Sequence, residues 1–154
     1  MNTINPQKEL ASQLETLVSH VNDSIKGFEK AAEKSSKTPD VDSHQFLAMK
    51  SARENHAIAL NSRLQCIGED WKSDGSIKGA AHRALISVKD LFTDSNSSEA
   101  ICEEALRGES KLLEYVDETL SKLDAIDPET RKAIADLKGD IVNNRAELKR
   151  ACGK

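Results

Sequence analysis

The stretch SARENHAIAL, residues 51–60, sets Arg53 three residues ahead of His56. With glutamate at 53 it would read Glu-x-x-His, the signature of a carboxylate-bridged di-metal centre. In such a centre two helices give one glutamate each and two give Glu-x-x-His. The i,i+3 step works because it aims both side chains at one point beside the helix. Arginine inverts that chemistry. Its guanidinium donates five N–H groups, accepts nothing and keeps its charge. It repels cations and draws carboxylates into charge-assisted pairs.

The remaining inventory is incomplete in the same direction. Glu29, beside Phe28, and Glu109, after Gly108, are the candidates for the two single glutamates, with His56 as one imidazole. The last helical segment offers Ile141 and Asn144 where the second Glu-x-x-His would stand. Glu29, Arg53, His56, Glu109 and Asn144 therefore form a candidate central polar cluster. Two readings stand for it. In one, Arg53 neutralises Glu29 and Glu109 as a buried clasp, or else snorkels with its head in water. In the other, Glu29, His56 and Glu109 ligate Fe, Mn or Zn. His20, His44 and His82 lack the close Cys/His/acid spacing of a zinc site. No phosphate-cradling glycine loop or nucleophile elbow occurs.

These residues fall on segments with helical periodicity. Leu10, Leu14, Leu17, Val21, Ile25, Phe28 and Ala32 recur at three- and four-residue steps, predicting a helix over 7–35. Phe46, Met49, Arg53, His56, Leu60, Leu64 and Ile67 predict a second over 43–68, with Gly68 as its stop. A shorter helix is expected over 77–92, from Ile77, Ala81, Leu85, Val88 and Phe92. The stripe Ile101, Ala105, Glu109, Leu112, Val116, Thr119 and Leu123 gives a helix over 98–122. Asp127-Pro128 opens the last, over 128–151, along Ile134, Leu137, Ile141, Asn144 and Leu148. Short links join the first pair and the last pair, so each pair should be antiparallel. The longer middle link can return the chain along the bundle.

Composition agrees with an all-α domain. Of 154 residues, 31% are charged and 3% aromatic, and strand-like runs of Val, Ile, Thr and Tyr are missing. A net charge of -4, with acids and bases mixed along every helix, argues against a nucleic-acid surface. No apolar run is long enough to span a bilayer, and the N-terminus lacks a secretory core. Cys66, Cys102 and Cys152 are odd in number and widely spaced, so the expectation is reduced thiols in a cytoplasmic protein.

The segments LVSHVNDSIKGFEKAAE, GSIKGAAHRALISVKDLF, CEEALRGESKLLEYVDETL and the DPETR start of the final helix resemble a bacterial family of ferritin-like proteins of unknown function. The resemblance spans about residues 12–151. It implies a ferritin-like four-helix bundle with a long 2–3 crossover, forming one domain over 1–154, and no established reaction. Metal-dependent relatives on this fold use the glutamate and Glu-x-x-His pattern, onto which only Glu29, His56 and Glu109 map. The expected function is that of a noncatalytic helical protein acting through a partner or self-association. Metal-dependent oxidoreductase chemistry is the alternative.

Overall fold

The computed structural model describes residues 6–38, 42–71, 97–122 and 126–153. Among them are four helices: α1 (Pro6–Ser35), α2 (Ser43–Trp71), α3 (Ser98–Lys122) and α4 (Pro128–Ala151). The helix expected over 77–92 lies outside the described residues. The side chain of Trp71, at the end of α2, lies outside them too. α2 continues through Gly68 to Trp71, so that glycine is not the stop it was expected to be.

The neighbouring pairs are α1–α2, α2–α4, α4–α3 and α3–α1. This closed square places α1 diagonal to α4 and α2 diagonal to α3. Named contacts give the directions. Arg63, late in α2, reaches Asp127, Glu129 and Thr130 at the start of α4. Cys102, early in α3, meets Cys152 just beyond α4. The His20 ring of α1 lies against the Tyr115 ring of α3, tilted by 49° with centroids 4.4 Å apart. Every adjacent pair is thus antiparallel and α2 runs parallel to α3, so their link joins opposite ends of the bundle. That is the ferritin-like arrangement, with one long crossover.

The stripes bury as their spacing requires. Leu14, Leu17 and Val21 of α1, Leu60 of α2, Ile101 and Val116 of α3, and Ile134, Leu137, Ile141 and Leu148 of α4 are all fully buried. The apolar interior divides into two blocks. One gathers Leu10–Val21, Ala57–Ile67, Leu112, Val116 and Ile134–Ile141. The other gathers Phe28, Ala31, Phe46, Met49, Ile101, Ala105 and Leu148 at the opposite end. Arg53 lies in chain order between the α2 contributions to the two blocks, as Glu109 does on α3.

Local chemistry fixes the ends of α4. Asp127 is its N-cap, accepting from Thr130 N at 2.9 Å and from the Thr130 hydroxyl at 2.7 Å. Pro128 fills a first-turn site that needs no N–H. Gly153 follows the cap at φ 73°, a left-handed conformation glycine enters at no steric cost.

Cys102 and Cys152 form a disulfide, with Cα atoms 5.8 Å apart. The expectation of reduced thiols is corrected for this pair, and with it the thiol argument for a reducing compartment. Cysteines 50 residues apart meet because antiparallel α3 and α4 bring the first turn of one beside the last turn of the other. Cys102 Sγ also lies 3.3 Å from Leu148 O. A disulfide sulfur has no proton to give, so this contact becomes a hydrogen bond only in the reduced thiol. Cys66 is a free, exposed cysteine.

Two expectations follow. Closing the α3–α4 hairpin contributes about 4 kcal/mol in the chain-entropy view. Cys152→Ala should therefore lower the denaturation midpoint of oxidised protein and leave the midpoint measured in dithiothreitol nearly unchanged. Equal loss in both conditions would mean that Cys152 acts through packing alone. The second concerns Asp127. Burial pushes its carboxyl up, but the Thr130 N–H and hydroxyl and the Arg63 charge outweigh this and hold it below the usual carboxylate range. A depressed pKa stabilises the fold above the unfolded value of about 3.9, and the contribution is lost as pH falls through the folded value. Asp127→Asn keeps a capping oxygen without the charge. Its stability deficit in urea titrations should shrink as the pH is lowered from about 6 to below the folded pKa.

Candidate functional site

α2 carries Arg53 on its core face, one turn after Met49 and one before Ala57, both buried. The Arg53 side chain is 0% exposed. An unpaired guanidinium there would be prohibitively desolvated, so the other three helices supply acceptors. From α3, Glu109 accepts a two-pronged pair: Nη1 to Oε1 at 2.8 Å and Nη2 to Oε2 at 2.6 Å. From α4, Asp140 Oδ2 accepts from Nε at 3.1 Å. From α1, Ser24 Oγ accepts from Nη1 at 3.0 Å. The Phe28 ring lies over the guanidinium carbon at 5.2 Å, within cation–π range. Asn144 Nδ2 is 3.4 Å from Glu109 Oε2, a long, weak bond.

Burial alone would lower the Arg53 pKa, and it is the largest single influence. The hydrogen bonds and charges of Glu109 and Asp140 together overcome it and raise the value above that of a free arginine. The group is a fixed cation at the bundle centre.

The structure brings Arg53, Glu109 and Asn144 together, with His56 at the edge. His56 Nε2 stands 3.9 Å from Asp140 Oδ2, and its side chain is 24% exposed. Sequence periodicity put His56 on the buried stripe of α2, but Ala57 takes the buried place and turns the imidazole to the flank. Glu29 is not in the cluster. It is 63% exposed and 4.0 Å from Lys50 on the adjacent helix, because its neighbour Phe28 takes the inward position. The carboxylates around Arg53 are Glu109 and Asp140, not Glu29 and Glu109.

Asp140 was missed because it stands one residue off the α4 stripe, beside Ile141. The signal was its four-residue step to Asn144, which puts both on one side of α4. Ser24 was legible in the same way, one turn from both Val21 and Phe28.

Among the described residues, no three or more His, Cys, Asp or Glu side chains are grouped to hold a metal ion. The donor set does not fit a di-metal centre. Both Glu109 oxygens already accept from a cation, Asp140 does the same, and Glu29 faces solvent. What this arrangement does chemically is bind helices. One fixed charge holds a residue from each of three others.

Removing one partner of a buried pair typically costs about 3–5 kcal/mol, because the other is stranded. Arg53→Met should lower unfolding free energy in urea by an amount of that order. Arg53→Met combined with Glu109→Leu and Asp140→Asn should recover most of the loss. A single-variant cost below about 1 kcal/mol would show that the clasp holds nothing.

Comparison with known proteins adds a family and no activity. No curated protein and no solved structure matches the chain. The family match covers α1, α2, the crossover and α3, including Ser24, Arg53, His56 and Glu109, and stops before Asp140 and Asn144 on α4. The chain belongs to the family described as Domain of unknown function (DUF2383), which it matches over residues 9–122.

Proposed function

We propose that this protein is a noncatalytic ferritin-like bundle that works by binding other proteins or further copies of itself. One observation carries the reading: the guanidinium of Arg53, fully buried and bonded to Glu109 and Asp140, stands where the fold's redox relatives would gather metal ligands. A permanent cation there opposes a second one through Coulomb repulsion in a poorly screened interior. The pair it forms consumes the acids that a metal would need.

A binding role draws support from α2. Leu47 and Ile58 are 45% and 64% exposed. Eleven residues apart, they point within about 20° of each other around the helix, leaving two large apolar groups on one outward line. No helix among the described residues is long and apolar enough to cross a membrane, so this line is not read as part of a span.

Two measurements test the reading. Titration calorimetry of metal-free protein with ferrous, manganous and zinc ions should give no stoichiometric binding. A tight site lost on substituting Glu109 would overturn it in favour of the metal-dependent alternative. Light scattering of the eluted protein should give a mass above that of one chain at high concentration, shifted toward monomer by Ile58→Glu. If the protein is monomeric throughout, self-association is ruled out and the partner must be another protein.

A further inference from the structure

The outward faces of the helices differ in their charge. Every exposed position of α3 is charged except Ser121, and every exposed position described on α1 is charged except Ser12. The exposed face of α4 carries both signs from Glu129 to Arg150. On α2 the pattern stops. Its exposed positions from Leu47 to Cys66 hold Leu, Ala, Ser, Asn, Ile, Gln and Cys, and Glu54 is the one charge among them. The cations of this stretch are turned to its flanks or inward and are already answered: Lys50 by Glu29, Arg53 by Glu109 and Asp140, Arg63 by Asp127 and Glu129. Glu54 follows Lys50 by one turn, on the edge of the strip toward α1. In a chain with 31% charged residues, such depletion is what marks the centre of a protein interface.

The strip also reads alike from either end. Leu47 and Gln65 are eighteen residues apart, as are Ala48 and Cys66. Eighteen residues are about five full turns, so each pair lies on one line along the helix. Turned end for end about an axis near residues 56–57, the strip sets Ala48 against Cys66 of its copy and Leu47 against Gln65. Ile58, 64% exposed, lies close to that axis. A face that meets itself cannot carry one sign of charge without repulsion, and this one carries almost none. Serine, asparagine and glutamine each donate and accept, so each can bond its own copy. A strongly charged partner would find no opposite charge to meet.

We propose that two copies of this chain pair through the outer face of α2, antiparallel about a two-fold axis, with Ile58 of each near the centre and Ala48 of one opposite Cys66 of the other. The strip is about 30 Å long and about 10 Å wide, short of the ~800 Å² per partner of a standard interface. The pairing is therefore reversible, with a dissociation constant in the micromolar range or weaker.

The inference rests on the binding role proposed above and names its partner. It is tested with the full chain, oxidised with copper phenanthroline. Ala48→Cys should give disulfide-linked dimers in most of the chains. The wild-type chain should link at least tenfold more slowly, since the register holds the two copies of Cys66 about 27 Å apart. Ala48→Cys with Cys66→Ser should fall to the same level. Adding Ile58→Glu to Ala48→Cys should slow linkage at least tenfold while circular dichroism shows the helices intact. If that variant does not fold, Ala59→Lys takes its place. Linkage of the wild type as fast as that of Ala48→Cys, linkage indifferent to the added charge, or a light-scattering mass of one chain up to about 1 mM would overturn the proposal. The noncatalytic reading fails separately, through a tight metal site lost on substituting Glu109.

Discussion

The pairing of Arg53 with Glu109 is the constraint to which the middle of this bundle answers. A guanidinium with no exposure can exist only where acceptors meet it, and each comes from a different helix: Ser24 from α1, Glu109 from α3 and Asp140 from α4. The relative depth of all four helices is therefore written into one set of bonds. Apolar stripes are tolerant of sliding by a turn, since one leucine replaces another. A two-pronged arginine–glutamate pair is not, because a one-turn shift would strand a buried charge. The clasp separates two apolar blocks and fixes their register.

Other contacts fasten the ends about this centre. At one end, Arg63 links α2 to the capped start of α4 through Asp127, Glu129 and Thr130. At the other, the Cys102–Cys152 bond joins the start of α3 to the end of α4. These differ in kind. The Arg63 group is partly exposed and screened by water, so it adds modestly. The disulfide acts mainly by limiting the unfolded chain. Neither substitutes for Arg53, whose bonds reach α1, α3 and α4 at once.

The same geometry is what sets the proposed fastening role against the metal-dependent alternative. Metal centres on four helices need acids that converge without a competing cation. Here the convergence is present and the cation is a side chain. Arg53 holds Glu109 and Asp140 at this level, and a cleft lies to one side of it, between α1 and α3.

Much of the fold was legible in the chain. The steps of Leu10 to Ala32, Ile101 to Thr119 and Ile134 to Leu148 determine which face of each helix must leave water, since apolar area at a 3.6-residue period has one favourable orientation. Arg53, Glu109 and Asn144 were visible as polar interruptions of those stripes. Three things were decided only in three dimensions. Glu29 and His56 sit at stripe margins, where a rotation of tens of degrees separates core from solvent, and packing of Phe28 and Ala57 settled it. Asp140 joined the cluster because arginine is long enough to reach a residue off the stripe. Cys102 and Cys152 met because the antiparallel α3–α4 pair brings distant positions side by side. Periodicity along a chain fixes which way a residue faces. Which residue waits across the gap depends on the register between helices, and no single helix contains that information.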